Sequence, residues 1–284
     1  FRPDDPLLAV AFAPEDKQAL EKLLADLPQE VFMADDSLGW VYQFWQTKRK
    51  KEVNDSGGKV GADGLPAVTQ LFTEDYMVKF LLHNTLGAWW AGKKLTTEDT
   101  ENTETEEELR KKVALPGVDW TYLRFVREDS VSTKPDPESS SVSSVPSVVK
   151  SAWRPAAGTF DGWPKQAAEL KIMDPCCGSG HFLVAAFDLM VRIRMEEEGL
   201  TATEACDTVL RDNLHGLEID QRCMQIAAFA LAFAAWTFPE AGGYRELRKL
   251  HVACTGIAPQ ATEEQWIKLA EQAGIPVPSG GAQP

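Results

Sequence analysis

Asp174-Pro-Cys-Cys-Gly-Ser-Gly-His-Phe-Leu183 follows a strand-like run, Glu169-Leu-Lys-Ile-Met173, and opens into an apolar helix-like run from Phe182 to Met190. An acidic residue at a strand end, a tight glycine turn and then a helix form the pattern of a nucleotide-type ligand site. Glycine at 178 and 180 permits backbone angles closed to other residues and lets a ligand approach the main chain. A second strand-like run, Leu214-His-Gly-Leu-Glu-Ile-Asp220, ends in carboxylates where the next strand of a βαβ unit should end. The third glycine of the dinucleotide fingerprint G-x-G-x-x-G falls at Leu183, which weakens an NAD-type reading.

Outward from this stretch the chain reads as α/β. The helix after the glycine turn should reach about Glu198. Thr201-Ala-Thr-Glu204 has capping-box spacing and should start a helix ending near Asp212. Strand 214–219 follows, then a long apolar helix from Gln221 to Trp236, then a third strand at Leu250-His-Val-Ala-Cys254. Strands alternating with helices imply a parallel sheet with right-handed crossovers. Asp220 is placed to cap the helix that follows it. Glu218 is placed to accept both hydroxyls of a ribose, since each hydroxyl of a cis-diol donates one bond to a carboxylate. Ile219 is placed either against an adenine face or in the core.

The N-terminal third reads as helical. Pro14-Glu-Asp-Lys17 begins a helix with Leu20, Leu23, Leu24 and Leu27 on its apolar face. A second helix starts at Asp36-Ser37, runs through Trp40, Val41, Phe44 and Trp45, and fades in the loop from Glu52 to Lys59. A third starts with Thr73 as its N-cap and carries Met77, Phe80, Leu81 and Leu86, with Gly87 loosening its end before Trp89-Trp90. The organisation expected is a helical region over 1–95, an acidic and serine-rich insertion or linker over 96–165, an incomplete α/β core over 166–275 and a flexible tail over 276–284.

At 284 residues, with 44% hydrophobic content and nine tryptophans, the chain can bury one large core or two modest ones. No apolar run approaches the ~20 residues of a membrane span, and no secretion signal marks the N-terminus, so a cytoplasmic protein is expected. The five cysteines form no CxxC pair, which fits reduced thiols and argues against a zinc site. A net charge of −14 excludes a broad electrostatic grip on nucleic acid. Lys48-Arg-Lys-Lys51 is the only dense basic cluster, and reads as a solvated helix end.

The motifs carry a family resemblance. The stretch Asp174–Leu183 resembles motif I of adenine-specific DNA methyltransferases of restriction-modification type. Asn213-Leu-His-Gly-Leu-Glu-Ile-Asp-Gln-Arg222 resembles their motif II. Thr69-Gln-Leu-Phe-Thr-Glu-Asp-Tyr-Met-Val78, followed by Asn84-Thr-Leu-Gly87, resembles the upstream motif X. The subfamily most similar is that of the phage-exclusion (BREX, PglX-like) enzymes. The resemblance implies a partial Rossmann-like methyltransferase domain with S-adenosyl-L-methionine as cofactor. By position, Thr73 and the turn residues Cys176, Gly178, Ser179 and Gly180 would hold the methionine end, Asp174 would face its amino group, and Glu218 with Ile219 would hold the adenosine. Cys176 and Cys177 stand where the family has small residues and read as space-filling; His181 reads as shaping the turn; His83, His215 and His251 read as structural.

The resemblance also implies a polar-Pro-Pro-aromatic motif that would hold a flipped target adenine. The sequence contains no Pro-Pro pair, so neither a catalytic residue nor a metal ligand is assigned. With Phe1 rather than Met at the start and a linker-like Pro276–Pro284 at the end, the chain reads as the N-terminal piece of a DNA adenine-N6 methyltransferase, inactive alone. Double-stranded DNA would be engaged mostly outside it, and other defence-system subunits are candidate partners. Two alternatives from other classes are a non-catalytic assembly module using Trp40, Trp45, Trp89 and Trp90, and, more remotely, an NAD-dependent oxidoreductase.

Overall fold

Three short strands, Ile172–Asp174 (β3), Leu214–Glu218 (β4) and Val252–Cys254 (β5), form a parallel sheet in the order β3-β4-β5 in the computed structural model of the chain. The structure describes residues 9–28, 30, 37–58, 60, 64–68, 73–95, 105–129, 151–158, 160–255 and 262–272. Asp174 pairs in register with Gly216, and Glu218 with Cys254, so the two carboxylates lie at the same end of adjacent strands. His181–Glu198 (α7) and Ala202–Asp212 (α8) connect β3 to β4, and Gln221–Thr237 (α9) connects β4 to β5. The chain is thus a mixed α/β protein with a parallel sheet flanked by helices.

Local sequence accounts for the element ends. Gly199, at φ 67°, stops α7 in the left-handed conformation that β-carbon-bearing residues avoid. Thr201 and Glu204 form the capping box of α8, each satisfying the other's backbone N–H. Asp220 caps α9 by accepting from the Arg222 N–H at 2.8 Å. The core runs through Leu183, Phe187, Met190, Val209, Leu231 and Ala235, and burial of each large side chain contributes about 1.5–3 kcal/mol.

Ahead of the sheet come Pro14–Ala25 (α1), Ser37–Asp55 (α2), Leu65–Val68 (α3), Asp75–His83 (α4), Leu86–Lys94 (α5) and Glu106–Lys112 (α6). An antiparallel pair follows, Phe125–Asp129 (β1) with Ser151–Pro155 (β2). Glu263–Gln272 (α10), which the sequence reading did not anticipate, is the last element.

Several N-terminal expectations are corrected. Leu20, Leu23, Leu24 and Leu27 are exposed, and α1 has no buried residue among the described residues. α2 continues to Asp55, through the stretch read as its fading end. α4 begins at Asp75, with Glu74 rather than Thr73 as its N-cap. Its buried face is Val78, Leu82 and His83, whereas Met77, Phe80 and Leu81 are exposed. Gly87 does not loosen a helix end; it sits inside α5, where a β-carbon would lie 2.6 Å from Cζ3 of Trp120. Its missing side chain is what lets α5 and the Trp120 ring touch.

The segment read as an insertion also contributes to the core. Leu109, Val113, Leu115, Trp120, Leu123 and Phe125 are buried in the same cluster as Trp90. The indoles of Trp90 and Trp120 both donate to the Val113 carbonyl, each at 3.1 Å. Apolar residues scattered one or two at a time among acids give no periodic signal, so this packing is invisible in composition. The serine-rich 130–150 stretch, the 276–284 tail and the motif X residues at 69–72 lie outside the described residues.

Candidate functional site

The site is built where β3 stops. The Gly180 N–H donates to the Cys177 carbonyl at 2.7 Å, closing the turn, and Gly178 and Gly180 hold φ of 53° and 89°. A β-carbon on Gly180 would approach the Cα of Ala227 to 2.9 Å, so this glycine also lets the turn lie directly on the backbone of α9. The Cys177 N–H donates to the Leu217 carbonyl at 2.9 Å, tying the turn to the neighbouring strand.

Leu183, where a dinucleotide fingerprint has its third glycine, is buried with its Cδ1 against β4. A β-carbon at Gly216 would meet that methyl at 2.8 Å and the Cys177 Sγ at 3.2 Å. Close helix–strand approach is therefore achieved by a glycine in the strand instead of one in the helix.

Glu218 is buried at the end of β4 and points into the turn. Its Oε2 accepts from the Gly178 N–H at 2.7 Å, and its Oε1 from the N–H groups of Ile219 and Asp220 at 2.9 and 3.0 Å. A carboxylate offers about four acceptor positions, so three are used and one remains for a further donor. Asp174, half-buried, accepts from the Cys176 N–H at 3.0 Å. Burial raises its pKa, the Cys176 N–H opposes the shift, and the charge of Glu218 adds to it. The site thus holds two carboxylates beside a glycine turn, an acceptor set suited to an ammonium group and ribose hydroxyls.

The remaining sequence-assigned residues are placed as follows. Cys176 is exposed at the turn, Ser179 is buried within it, and Ile219 is half-buried beside Glu218. Burial pushes the Cys177 thiol up to about 12, which makes it a space-filling group rather than a nucleophile. Thr73 is half-buried two residues before α4, and no hydrogen bond links it to the turn among the described residues. α4 itself packs on α7. Leu82 and Thr85 face Asp174, Pro175 and Phe182 across a cavity of about 380 Å³, so the motif X-like helix and the glycine turn share a wall.

His181 begins α7 and, with His83 and Asp188, lines a second cavity of about 510 Å³. His83 is buried, its Nδ1 accepts from the Tyr122 N–H at 3.3 Å, and burial lowers its pKa to about 4. His215 and His251 stack on each other, with ring centres 5.0 Å apart. Among the described residues no His, Cys, Asp or Glu cluster has the arrangement of a metal site.

One residue at the edge of the site escaped sequence reasoning. The hydroxyl of Tyr42, on α2, donates to the Asp220 Oδ2 at 2.6 Å across 178 positions of sequence. The Arg222 guanidinium lies 5.6 Å from the centre of the Tyr42 ring and 3.3 Å from the same carboxylate. Burial pushes the Asp220 pKa up, but the Tyr42 hydroxyl and the Arg222 donors outweigh it and the net shift is downward. Tyr42 sits in a run of aromatic and polar residues with no distinguishing spacing, so no local signal marks it.

Comparison with known proteins agrees with the motifs. Residues 157–241, which include the glycine turn and Glu218, match the family described as MmeI, DNA-methyltransferase domain. The chain is 28% identical over 238 residues to the adenine-specific methyltransferase PglX of Lacticaseibacillus casei (strain Zhang), covering 81% of this chain and 17% of that protein. It is 27% identical over 216 residues to the adenine-specific methyltransferase BrxX of Escherichia coli O9:H4 (strain HS), covering 76% and 15%. A PglX of Streptomyces coelicolor is 38% identical over 79 residues. The chain spans less than a fifth of the length of these relatives. The resemblance read from its motifs is borne out: the chain is related to PglX-like adenine-specific methyltransferases.

Proposed function

We propose that this chain is the S-adenosyl-L-methionine-binding part of a DNA adenine-N6 methyltransferase of a phage-defence or restriction-modification system, with a partial Rossmann-like core. The observation that carries the proposal is the junction of Gly178 and Glu218, 2.7 Å apart, which joins the turn after β3 to the carboxylate end of β4. The names of the relatives support the reaction class.

Asp174 holds the amino group of the cofactor, the N–H groups and small side chains of Cys176, Gly178, Ser179 and Gly180 line its methionine end, and Thr73 borders that end. Glu218 accepts the ribose hydroxyls. Its one remaining acceptor position takes one hydroxyl directly; a bidentate contact requires it to release one backbone N–H. Ile219 lies against the adenine. The cofactor supplies an electrophilic methyl group, and this chain's residues hold it and shield it from water. The target adenine is held by residues outside this chain, in keeping with the absence of a Pro-Pro pair, so the chain binds cofactor without turnover. The protein works in the cytoplasm on double-stranded DNA, alone or with other defence subunits.

Titration calorimetry of the chain with S-adenosylmethionine tests the first claim, and failure to bind it refutes the assignment. Transfer of a tritiated methyl group to duplex DNA by the purified chain would refute the second.

A further inference from the structure

Tyr42 gives α2 a position that its sequence alone does not. Along this helix Tyr42 is buried, and Gln43, Gln46, Lys50 and Val53 are half-buried. The opposite face is Val41, Phe44, Trp45, Lys48 and Lys51, at i, i+3, i+4, i+7 and i+10, and all five are exposed. Phe44 and Trp45 are 76% and 73% exposed. The helix therefore docks through the polar end of Tyr42 and turns Phe44 and Trp45 outward, the reverse of ordinary amphipathic packing.

The dock is specific. Tyr42 is held by Asp220 at 2.6 Å, and Gln46 donates to the same hydroxyl at 2.9 Å. Asp220 is two residues from Glu218. With a rise of about 1.5 Å per residue, Lys48 and Lys51 stand roughly 9 and 14 Å along the helix from Tyr42. Neither Lys48, Arg49, Lys50 nor Lys51 forms an ion pair among the described residues. In a chain of net charge −14, a cationic run left unneutralised next to two exposed rings is a local anion-binding surface. A solvated helix end explains the charges but neither the outward rings nor the buried anchor.

We propose that this face of α2 contacts duplex DNA beside the methyl-donor site. Lys48, Arg49 and Lys51 neutralise backbone phosphates. Phe44 and Trp45 lie against the apolar edges of the sugars along the groove, where flat apolar rings gain by leaving water. Tyr42 fixes the direction of the helix. The proposal rests on the function proposed above, because the duplex is the substrate that function requires.

Fluorescence anisotropy with a labelled mixed-sequence duplex of about 25 base pairs, titrated with the full chain over a range of salt concentrations, tests it. The triple variant K48Q/R49Q/K51Q should bind at least ~10-fold more weakly at low salt, and the slope of log K against log salt should shrink by about 2–3, at about 0.9 per phosphate contact. Trp45→Ala should lower affinity roughly tenfold, from the lost burial of the ring, with the slope unchanged. Both variants should keep the wild-type affinity for S-adenosylmethionine and the wild-type melting temperature. Equal salt slopes for the wild type and the triple variant overturn the proposal, as does a wild type that binds an acidic polypeptide through this face but no duplex. Loss of cofactor binding by the wild type, with DNA binding intact, refutes the cofactor reading instead, so the two failures are distinguishable.

Discussion

The carboxylate of Glu218 accepts from the Gly178 N–H at 2.7 Å, so the end of β4 and the turn after β3 form one hydrogen-bonded unit. Glu218 Oε1 meanwhile holds the N–H groups of Ile219 and Asp220. A residue assigned to ligand binding therefore also organises the backbone of its own site.

Replacing Glu218 should consequently affect two readouts. Glu218→Ala leaves three N–H groups, two of them on buried residues, without an acceptor and should cost about 2–4 kcal/mol of stability, with loss of measurable cofactor binding. Glu218→Gln keeps Oε1 for Ile219 and Asp220 but turns an amide donor toward the Gly178 N–H. It should be milder in denaturant melts yet still bind S-adenosylmethionine at least ~10-fold more weakly by calorimetry.

Gly180 and Gly199 both lie in the left-handed region, but only Gly180 is crowded: a β-carbon there would meet Ala227 at 2.9 Å, whereas one on Gly199 would meet nothing within 4 Å. Gly180→Ala should therefore cost about 2–4 kcal/mol, combining backbone strain and overpacking. Gly199→Ala should cost only about 1 kcal/mol, from strain alone. Urea melts of the two variants side by side measure the difference, and equal costs would show that the contact with α9 is not limiting.

The Leu183–Gly216 contact predicts non-additivity. Gly216→Ala should destabilise by roughly 1–3 kcal/mol through its clash with Leu183 Cδ1, and Leu183→Ala by about 2–5 kcal/mol through the cavity it leaves. In the double variant the new methyl occupies part of that cavity, so its cost should fall below the sum of the two by about 1 kcal/mol or more. A double-mutant cycle measures this, and simple additivity would rule out the proposed substitution of one glycine's role by the other.

Two buried groups pull in opposite directions with pH. His83, lowered by burial to about 4, supports the fold fully above its ordinary value of about 6.5, and that contribution is lost as pH falls toward 4. Asp174, raised by burial, favours the fold below its unfolded value, and that contribution is lost as pH rises through its folded value. His83→Gln should therefore flatten the acid limb of stability against pH. Asp174→Asn, whose Oδ1 still accepts from Cys176, should leave the ligand-free protein as stable or more stable at neutral pH while weakening cofactor binding. Reduced stability of Asp174→Asn at neutral pH would show that the charge serves the fold rather than the ligand.

Much of the α/β part was legible because its signals are local. The capping box at Thr201 and Glu204 and the cap at Asp220 involve residues within one helical turn of each other, and both appear in the structure, as does the helix end at Glu198. β3 and β5 are shorter than the apolar runs: β3 starts only at Ile172, after the 3₁₀ segment Ala167–Glu169, and β5 only at Val252. In the helical region the same reasoning named the wrong faces. For α4 the pattern at Met77, Phe80 and Leu81 is as helical as that at Val78 and Leu82, and the positions of α5 and α7 decide which is covered.

By itself, the sequence determined the order of strands and helices between β3 and β5, the glycine turn at 178–180 and the two carboxylates at strand ends, because backbone sterics and capping act over a few residues. Tertiary structure alone decided that Glu218 reaches back to Gly178, that Gly216 makes room for Leu183, and that Tyr42 meets Asp220. Each of these joins residues 33 or more positions apart. Such contacts depend on which faces the packed elements present to one another, and no window of sequence contains that information.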